Sequence, residues 1–594
     1  MKETLIQLRK VMEEKHVDMV LIPSSDFHGS EYIGDYFKSR AWMSGFTGSA
    51  GTLVVAKEEA GLWTDGRYFI QAERQLEGSG ITLYKMGQEG VIDYPQFIIE
   101  KMPQGGCLSF DGRMVSASLG KQLKEELARK GATVKSDEDL VDLIWTDRPQ
   151  LSKEKAVLLE EKYSGCSTEK KLQRVREKMA EEKADVLLTS SLDDTAWLFN
   201  MRGNDVLYNP VVVAYAMVRM DSAAIYLDCS KLNASQVAEL NALNVEVKDY
   251  DLFVKEVAEL DSCTVWADTA KLNFAVAEAI PASCKVVDKP HPVVLMKSIK
   301  NEVEIENLRR SHIKDGVAVT KFMYWLKKNI GKIDMTECSV QDKLHEFRAE
   351  QDGFIEESFG TICAYGPNAA MMHYSASPEH ETKIEGNGLL LIDSGGQYWE
   401  GTTDITRTFA IGKIDPEVKK AYTTVLQGHL NLATARFLYG CSGMNLDILA
   451  RGPVWQMNID YQCGTGHGVG YLLNVHEGPH GIRWKRTAAA TELTPFEVGM
   501  VVTDEPGVYI EGQFGVRIEN ELIVKPGEKN FYGQFLEFEM TTMVPIDLEC
   551  IDPEVLTPDA RQALNDYHKE VYTKIVPYLN QEEAEWLRQA TRSI

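Results

Sequence analysis

Apolar positions recur at helical spacing and then close into an unbroken run in LRKVMEEKHVDMVLIPSSD (residues 8–26). Spacings of three and four residues followed by a short apolar block predict an amphipathic helix feeding a buried strand. The plan returns, with a one-residue shift in the middle, in LQRVREKMAEEKADVLLTSSLDD (172–194), again with an aspartate before the strand and Ser-Ser at its end. Two copies of one α/β domain type are therefore expected. Pro149 and the polar cluster of IWTDRPQLSKEK (144–155) read as the linker between them. The second copy extends to KPHPVVLMKSIK (289–300), where two prolines and a strand-like VVLM precede a charged helical segment, 301–328. These breaks predict three domains: 1–147, 148–297 and 298–594.

In the first copy, Gly45, Gly48 and Gly51 mimic a nucleotide-loop spacing. They open onto the strand-like TLVV and not onto a helix, so tight turns are the better reading.

From about residue 298 the pattern changes. LLLIDSGGQYWEGTTDITRTFAIG (389–412) is an apolar run ending in Asp393, a Gly-Gly turn, and a β-branched return carrying Asp404. A carboxylate at the end of a buried strand costs several kcal/mol to desolvate unless something pairs with it. VVTDEPGVYIEGQFGVRIENELIV (501–524) repeats the design, with Glu505 closing the outgoing strand and Glu519 in the returning one. Two hairpins with two inward acids each imply an internal pseudo-two-fold. Between them, YQCGTGHGVGYLLNVHEGPHG (461–481) surrounds His467 with glycines, which would let a ligand or metal approach closely.

Each piece alone has a plainer reading. A lone Asp393 or Asp404 is as readily a turn cap or a salt-bridge partner, Glu519 could pair with Arg517, and His467 could be a hydrogen-bonded core residue. Together, one imidazole and four carboxylates suit Mn²⁺, Co²⁺ or Zn²⁺ better than thiolate-seeking ions. Four negative charges would balance two divalent cations, and a pair about 3.5–4 Å apart is a known device for hydrolysis.

Composition narrows the setting. The 594 residues are 44% hydrophobic and 26% charged with only 20 prolines, which describes an ordered globular chain of two to four domains. The opening MKETLIQLRKVMEEKH lacks a signal-like apolar core, and no run of about 18 apolar residues follows, so a cytoplasmic protein without a membrane partner is expected. Ten singly spaced cysteines without a CxxC pair fit reduced thiols rather than a disulfide framework or a thiolate zinc site. A net charge of −25 disfavours nucleic acid and anionic membranes as partners. In the tail, PDARQALNDYHKEVY and EEAEWLRQAT have helical periodicity, with Trp586 and Leu587 expected to pack inward and Glu582, Glu583 and Glu585 to be solvated.

The order Asp393, Asp404, GTGHGVG, TDEPG and RIEN resembles the pita-bread metallopeptidases. Further segments extend the likeness over almost the whole chain: SEYI, SGFTGSAGT, WTDGRYF, WLFNMRGNDV, RRSHIKDGVA, IDSGGQYWEGTTDITRT, NVHEGP and GVRIEN. Within those peptidases the chain is most similar to the cytosolic, three-domain Xaa-Pro aminopeptidase (aminopeptidase P) family. The resemblance implies an α/β (α+β) fold with two creatinase/prolidase-like N-terminal domains followed by a pita-bread catalytic domain with pseudo-two-fold symmetry. It implies removal of an N-terminal residue from peptides with proline second, by a hydroxide bridging two divalent ions per subunit, Mn²⁺ foremost with Co²⁺ or Zn²⁺ as alternatives. It also implies a homodimer formed through the C-terminal domain.

Carried over by position, the resemblance makes Asp393 a ligand of one ion, His467 and Glu505 ligands of the other, and Asp404 and Glu519 bridges. His373 and His476 would bind substrate and intermediate or shuttle protons, and Arg517 would orient a bridging carboxylate or contact the intermediate. Glu477 reads as a support for the site and not a participant. Cys463 stands where the family has a histidine, and a thiol cannot reproduce an imidazole contact. Activity is expected to survive, with a water or a neighbouring group filling the gap; substrate affinity or selectivity is what the change would alter otherwise, and no cysteine nucleophile is expected. Prolidase is the nearest alternative, followed by methionine aminopeptidase, a creatine-type amidinohydrolase and a non-catalytic relative that has lost its metals. Retention of all five ligands argues against the last two.

Overall fold

The computed structural model describes residues 2–487 and 489–594, which fall into two compact units. The first holds the chain up to Glu161 together with Cys166–Val294, and the second holds Lys162–Gly165 and Leu295–Ile594.

The expected duplication is present in the first unit. Helix Glu3–Glu14 buries Leu5, Leu8 and Met12 and leads into strand Met19–Pro23, while helix Thr168–Glu182 buries Leu172, Val175 and Met179 and leads into Val186–Thr189. Both helices use the same three-then-four spacing, which keeps one apolar stripe facing one sheet. Each copy builds a six-stranded sheet. The first runs Thr82–Lys85, Ala60–Thr64, Thr52–Ala56, Met19–Pro23, Cys107–Ser109, Thr133–Lys135. The second runs Val245–Asp249, Ala223–Leu227, Ala214–Arg219, Val186–Thr189, Thr264–Ala267, Lys285–Asp288. Neighbouring strands follow the same sequence of directions in both: parallel, antiparallel, antiparallel, parallel, parallel.

One element departs from the sequence reading. VVLM is not a strand but part of helix Pro292–Ser298, in which Val293 and Lys297 are buried and Leu295 is exposed. Burial at positions i and i+4 is the helical period, and proline is at home at a helix start because its missing N–H has no partner to lose there.

The second unit repeats helix, helix and strands twice. Helices Glu302–Asn329 and Glu337–Ala349 precede strands Gly388–Ser394 and Ile405–Ile411; helices Pro416–Ala433 and Gly443–Trp455 precede strands Val501–Asp504 and Asn520–Asn530. Each strand pair is antiparallel, with Asp393 opposite Thr406 in one and Asp504 opposite Asn520 in the other. This is the internal pseudo-two-fold implied by the paired hairpins. In the tail, Leu587 is fully buried, Trp586 packs edge-on against Tyr324, and Glu582 pairs with Lys328 at the surface. No helix among the described residues is long and apolar enough to cross a membrane.

Candidate metal centre

Two of the acids sit where the ladders break. Asp404 lies in the gap between Gly401–Thr402 and Ile405–Ile411, and Glu519 lies between Phe514–Arg517 and Asn520–Asn530, not within the returning strand as the sequence suggested. The Glu519 N–H crosses to the Thr406 carbonyl at 3.1 Å, joining the two halves, so the residue leaves its own ladder and turns its carboxylate inward. Arg407, fully buried beside it, donates to the carbonyls of Glu519 and Thr406 and to the side chains of Asn520 and Tyr567. One guanidinium thus fixes the backbone at Glu519 and, across from it, at Thr406.

His467 presents Nε2 to the acids, 3.5 Å from Asp404 Oδ2 and 3.6 Å from Glu505 Oε1. Its Nδ1 is 3.0 Å from the Gly468 carbonyl, a contact that keeps the proton on Nδ1 and turns the Nε2 lone pair toward the acids. Ligand atoms of Asp404, His467 and Glu519 all lie within 4.8 Å of one another. Thr406 donates to Glu519 Oε2 at 2.7 Å. Asp393 accepts from Arg517 Nη2 on Oδ2, while its Oδ1 is buried with no hydrogen-bond partner among the described residues.

The electrostatics are those of acids gathered with too little counter-charge. Burial, then Glu519, Asp393 and Glu505, hold Asp404 well above the carboxylate range. Burial, then Glu505 and Asp393, do the same to Glu519. Burial pushes Glu505 up to about 7, with Arg517 opposing and Asp393 adding to the rise. Burial disfavours the charge of Arg517, but Tyr509, Asp393, Glu505 and Glu519 outweigh it and the guanidinium stays protonated. An orphaned oxygen on Asp393, an imidazole nitrogen turned toward carboxylates and mutually repelling acids are the features a divalent cation would resolve, so the residues fit the ions that the sequence implied.

His476 joins the cluster, its ring edge-on to His467 at 4.4 Å between centroids. His373 is half-buried on the segment after the turn Gly366–Ala370. That turn packs so closely on strand Phe514–Arg517 that a Cβ on Gly515 would come within 1.8 Å of the Ala369 carbonyl. Cys463 is half-buried, and burial followed by Glu505 pushes its thiol up to about 12, so it is neutral.

Two expectations need correction. Arg517 is aimed at Asp393, not at a bridging carboxylate, and its other nitrogens donate to Tyr509 and Thr406. The glycines around His467 make room for neighbouring strands rather than for a ligand: a Cβ on Gly466 would lie 1.9 Å from the Thr503 carbonyl and one on Gly468 2.1 Å from that of Glu477. Glu477 is clamped between two buried lysines, Lys297 and Lys300.

Sequence reasoning also missed Tyr509, Arg407 and the Arg451–Asp447 pair. Arg451 lies fully buried on helix Gly443–Trp455, stacks on Tyr461 at 3.8 Å, and donates to Asp447 and to the carbonyls of Tyr461 and Cys463. Asp447 in turn accepts from Thr465, two residues before His467. An Asp and an Arg four residues apart on one helix were visible; their inward direction was not.

The profile of metallopeptidase family M24 matches residues 306–526, and that of the C-terminal region of peptidase M24 matches 534–594. Creatinase/prolidase N-terminal domain profiles match 5–144 and 147–304. The chain is 40% identical to a probable Xaa-Pro aminopeptidase P of Botryotinia fuckeliana, covering 98% of this chain and 91% of that protein. It is 37% identical to aminopeptidase P1 of Arabidopsis thaliana, covering 100% and 99%. Among solved structures it is similar to the X-prolyl aminopeptidase of Caenorhabditis elegans, described as a cytosolic enzyme with a di-nuclear active site. That likeness has a TM-score of 0.94 at 33% identity and covers 100% and 99% of the two chains.

Proposed function

The chain belongs to metallopeptidase family M24, and from that premise we propose the reading its site supports best: a metal-dependent aminopeptidase that cleaves between an N-terminal residue and a penultimate proline. The observation that carries it is the convergence of Asp404, Glu519 and His467 Nε2, with Glu505 and Asp393 beside them. In this reading Asp393 would hold one ion, His467 and Glu505 a second, and Asp404 and Glu519 would be shared between them. When bound, two divalent ions supply a water deprotonated near neutral pH and a Lewis acid for the scissile carbonyl. Mn²⁺ is the preferred ion in this proposal, with Co²⁺ and Zn²⁺ as alternatives.

The remaining roles fall to the protein. Arg517 holds Asp393 in place, with Tyr509 accepting from its other end. His476 and His373 bind the substrate or carry its proton, and Cys463 borders the substrate as a neutral group. Proline's tertiary amide has no N–H, which general peptidases handle poorly, so a dedicated site has a chemical reason to exist. The three-domain division at 147 and 297, a cytoplasmic setting and a homodimer through the C-terminal domain belong to the same proposal.

The test is hydrolysis of a Xaa-Pro-Xaa tripeptide beside the matching Xaa-Pro dipeptide, with Mn²⁺ added or a chelator present. Cleavage of the tripeptide before proline, abolished by the chelator, is expected. Preference for the dipeptide would make the chain a prolidase. No turnover of either with Mn²⁺ bound would overturn the catalytic reading.

A further inference from the structure

We propose that Cys263 and Cys284 form an oxidation site, a dithiol that a peroxide closes into a disulfide. Twenty residues separate them in the sequence and no CxxC motif announces them, yet their sulfurs lie 3.6 Å apart. The reason is register. Strands Thr264–Ala267 and Lys285–Asp288 are parallel neighbours with Thr264 opposite Lys285, and the two cysteines stand one step before that pair. The Lys285 N–H donates to the Cys263 carbonyl at 2.9 Å, so the rung holding the two residues together is itself hydrogen-bonded.

Adjacent positions on neighbouring strands are about 5 Å apart at their Cα atoms, within the range a disulfide spans without moving the backbone. Both cysteines are half-buried at the rim of the core beneath the sheet, open enough for a small oxidant to reach. Burial, then the neighbouring Cys284 and Asp185, push the Cys263 thiol up to about 11. A thiol held protonated attacks slowly, so the first oxidation falls to Cys284 with Cys263 closing the bridge, and the pair rests as a dithiol until an oxidant is supplied.

The chemistry needs one peroxide per bridge. One sulfur attacks the peroxide, its S–H becomes a sulfenic acid, and the other peroxide oxygen leaves as water or alcohol. The second sulfur then attacks the first, forming the S–S bond and expelling the hydroxyl with the remaining thiol proton as water. Two thiol hydrogens and two electrons pass to the peroxide in all. Lys285–Asp288 is an edge strand of its six-stranded sheet, paired with Thr264–Ala267, so the bridge would staple that edge to the sheet.

The experiment is titration of the full-length, metal-loaded protein with hydrogen peroxide, followed by denaturation, thiol counting and non-reducing peptide mapping. Two of the ten thiols should be lost first, in a cross-linked peptide joining Cys263 to Cys284 that dithiothreitol reverses. Cys263→Ser and Cys284→Ser should each abolish that peptide while leaving peptidase activity unchanged. Retention of both thiols, or their separate conversion to sulfinic acids without a cross-link, would overturn the proposal.

Discussion

Arg517 reaches across from strand Phe514–Arg517 to pair with Asp393 at the end of strand Gly388–Ser394, and only one oxygen of Asp393 is thereby used. The guanidinium also donates to Tyr509 and Thr406, so three fixed groups meet one planar fork. Lysine carries the charge but not the fork. Arg517→Lys should therefore lower metal affinity or kcat by about 10–100-fold, the usual effect of a lost contact behind a ligand. Metal titration calorimetry beside steady-state kinetics would check it; an unchanged variant would remove Arg517 from the site.

The raised carboxyl groups make the metal-free protein pH-sensitive in a definite direction. Asp404, Glu505 and Glu519 hold protons more tightly folded than unfolded, so their contribution to stability is present at low pH and is lost as pH rises through their folded values. For Glu505, moved from 4.5 to about 7, the loss amounts to about 3 kcal/mol. Thermal melts with chelator should weaken between pH 5 and pH 8, roughly the window named by that shift. Added Mn²⁺ should restore more stability at the upper end, where the ligands are ionised.

A thiol held at about 12 is a poor nucleophile at neutral pH. Cys463→Ser should change kcat by less than about tenfold, which is about 1.4 kcal/mol. Cys463→His, which installs the family's imidazole, should act on KM more than on metal stoichiometry. Loss of all turnover in a folded, metal-replete serine variant would contradict this reading.

Glu477 shows how a residue beside the site supports it without taking part. Burial alone would raise its pKa, but Lys297 and Lys300 outweigh burial and lower it. Its stabilising contribution is thus present above the ordinary glutamate range and lost as pH falls through the depressed value. Glu477→Gln leaves two buried ammonium groups facing a neutral amide and should cost about 3–5 kcal/mol. Urea melts at pH 7 would measure the loss, and the gap between variant and wild type should shrink on acidification below the ordinary glutamate range.

Much of the site was legible because it obeys local rules. An apolar run ending in an acid is conspicuous at Asp393, and Asp404, Glu505 and Glu519 stand beside it in the two paired hairpins. What escaped was direction. Arg517 was found, yet its partner is 124 residues away. Arg407 looked like one polar residue in a β-branched strand, although it is the buried hub behind Glu519. The glycines near His467 read as space for a ligand, whereas strand crossings fill that space. VVLM fits strand or helix equally as a four-residue apolar block, and only burial at Val293 and Lys297 decides for helix.

The sequence by itself determined the duplicated helix–strand plan, the paired acidic hairpins and the oxygen-rich candidate cluster with a single imidazole. These rest on periodicity and on the cost of burying charge, which act over a few residues and leave their mark in the order of the chain. Only the tertiary structure decided which oxygen of Asp393 is orphaned, which nitrogen of His467 faces the acids, that two lysines clamp Glu477, and that Cys263 meets Cys284. Those facts depend on strand register and on contacts between distant segments, and register is set by the packing of whole faces rather than by any one residue's neighbours.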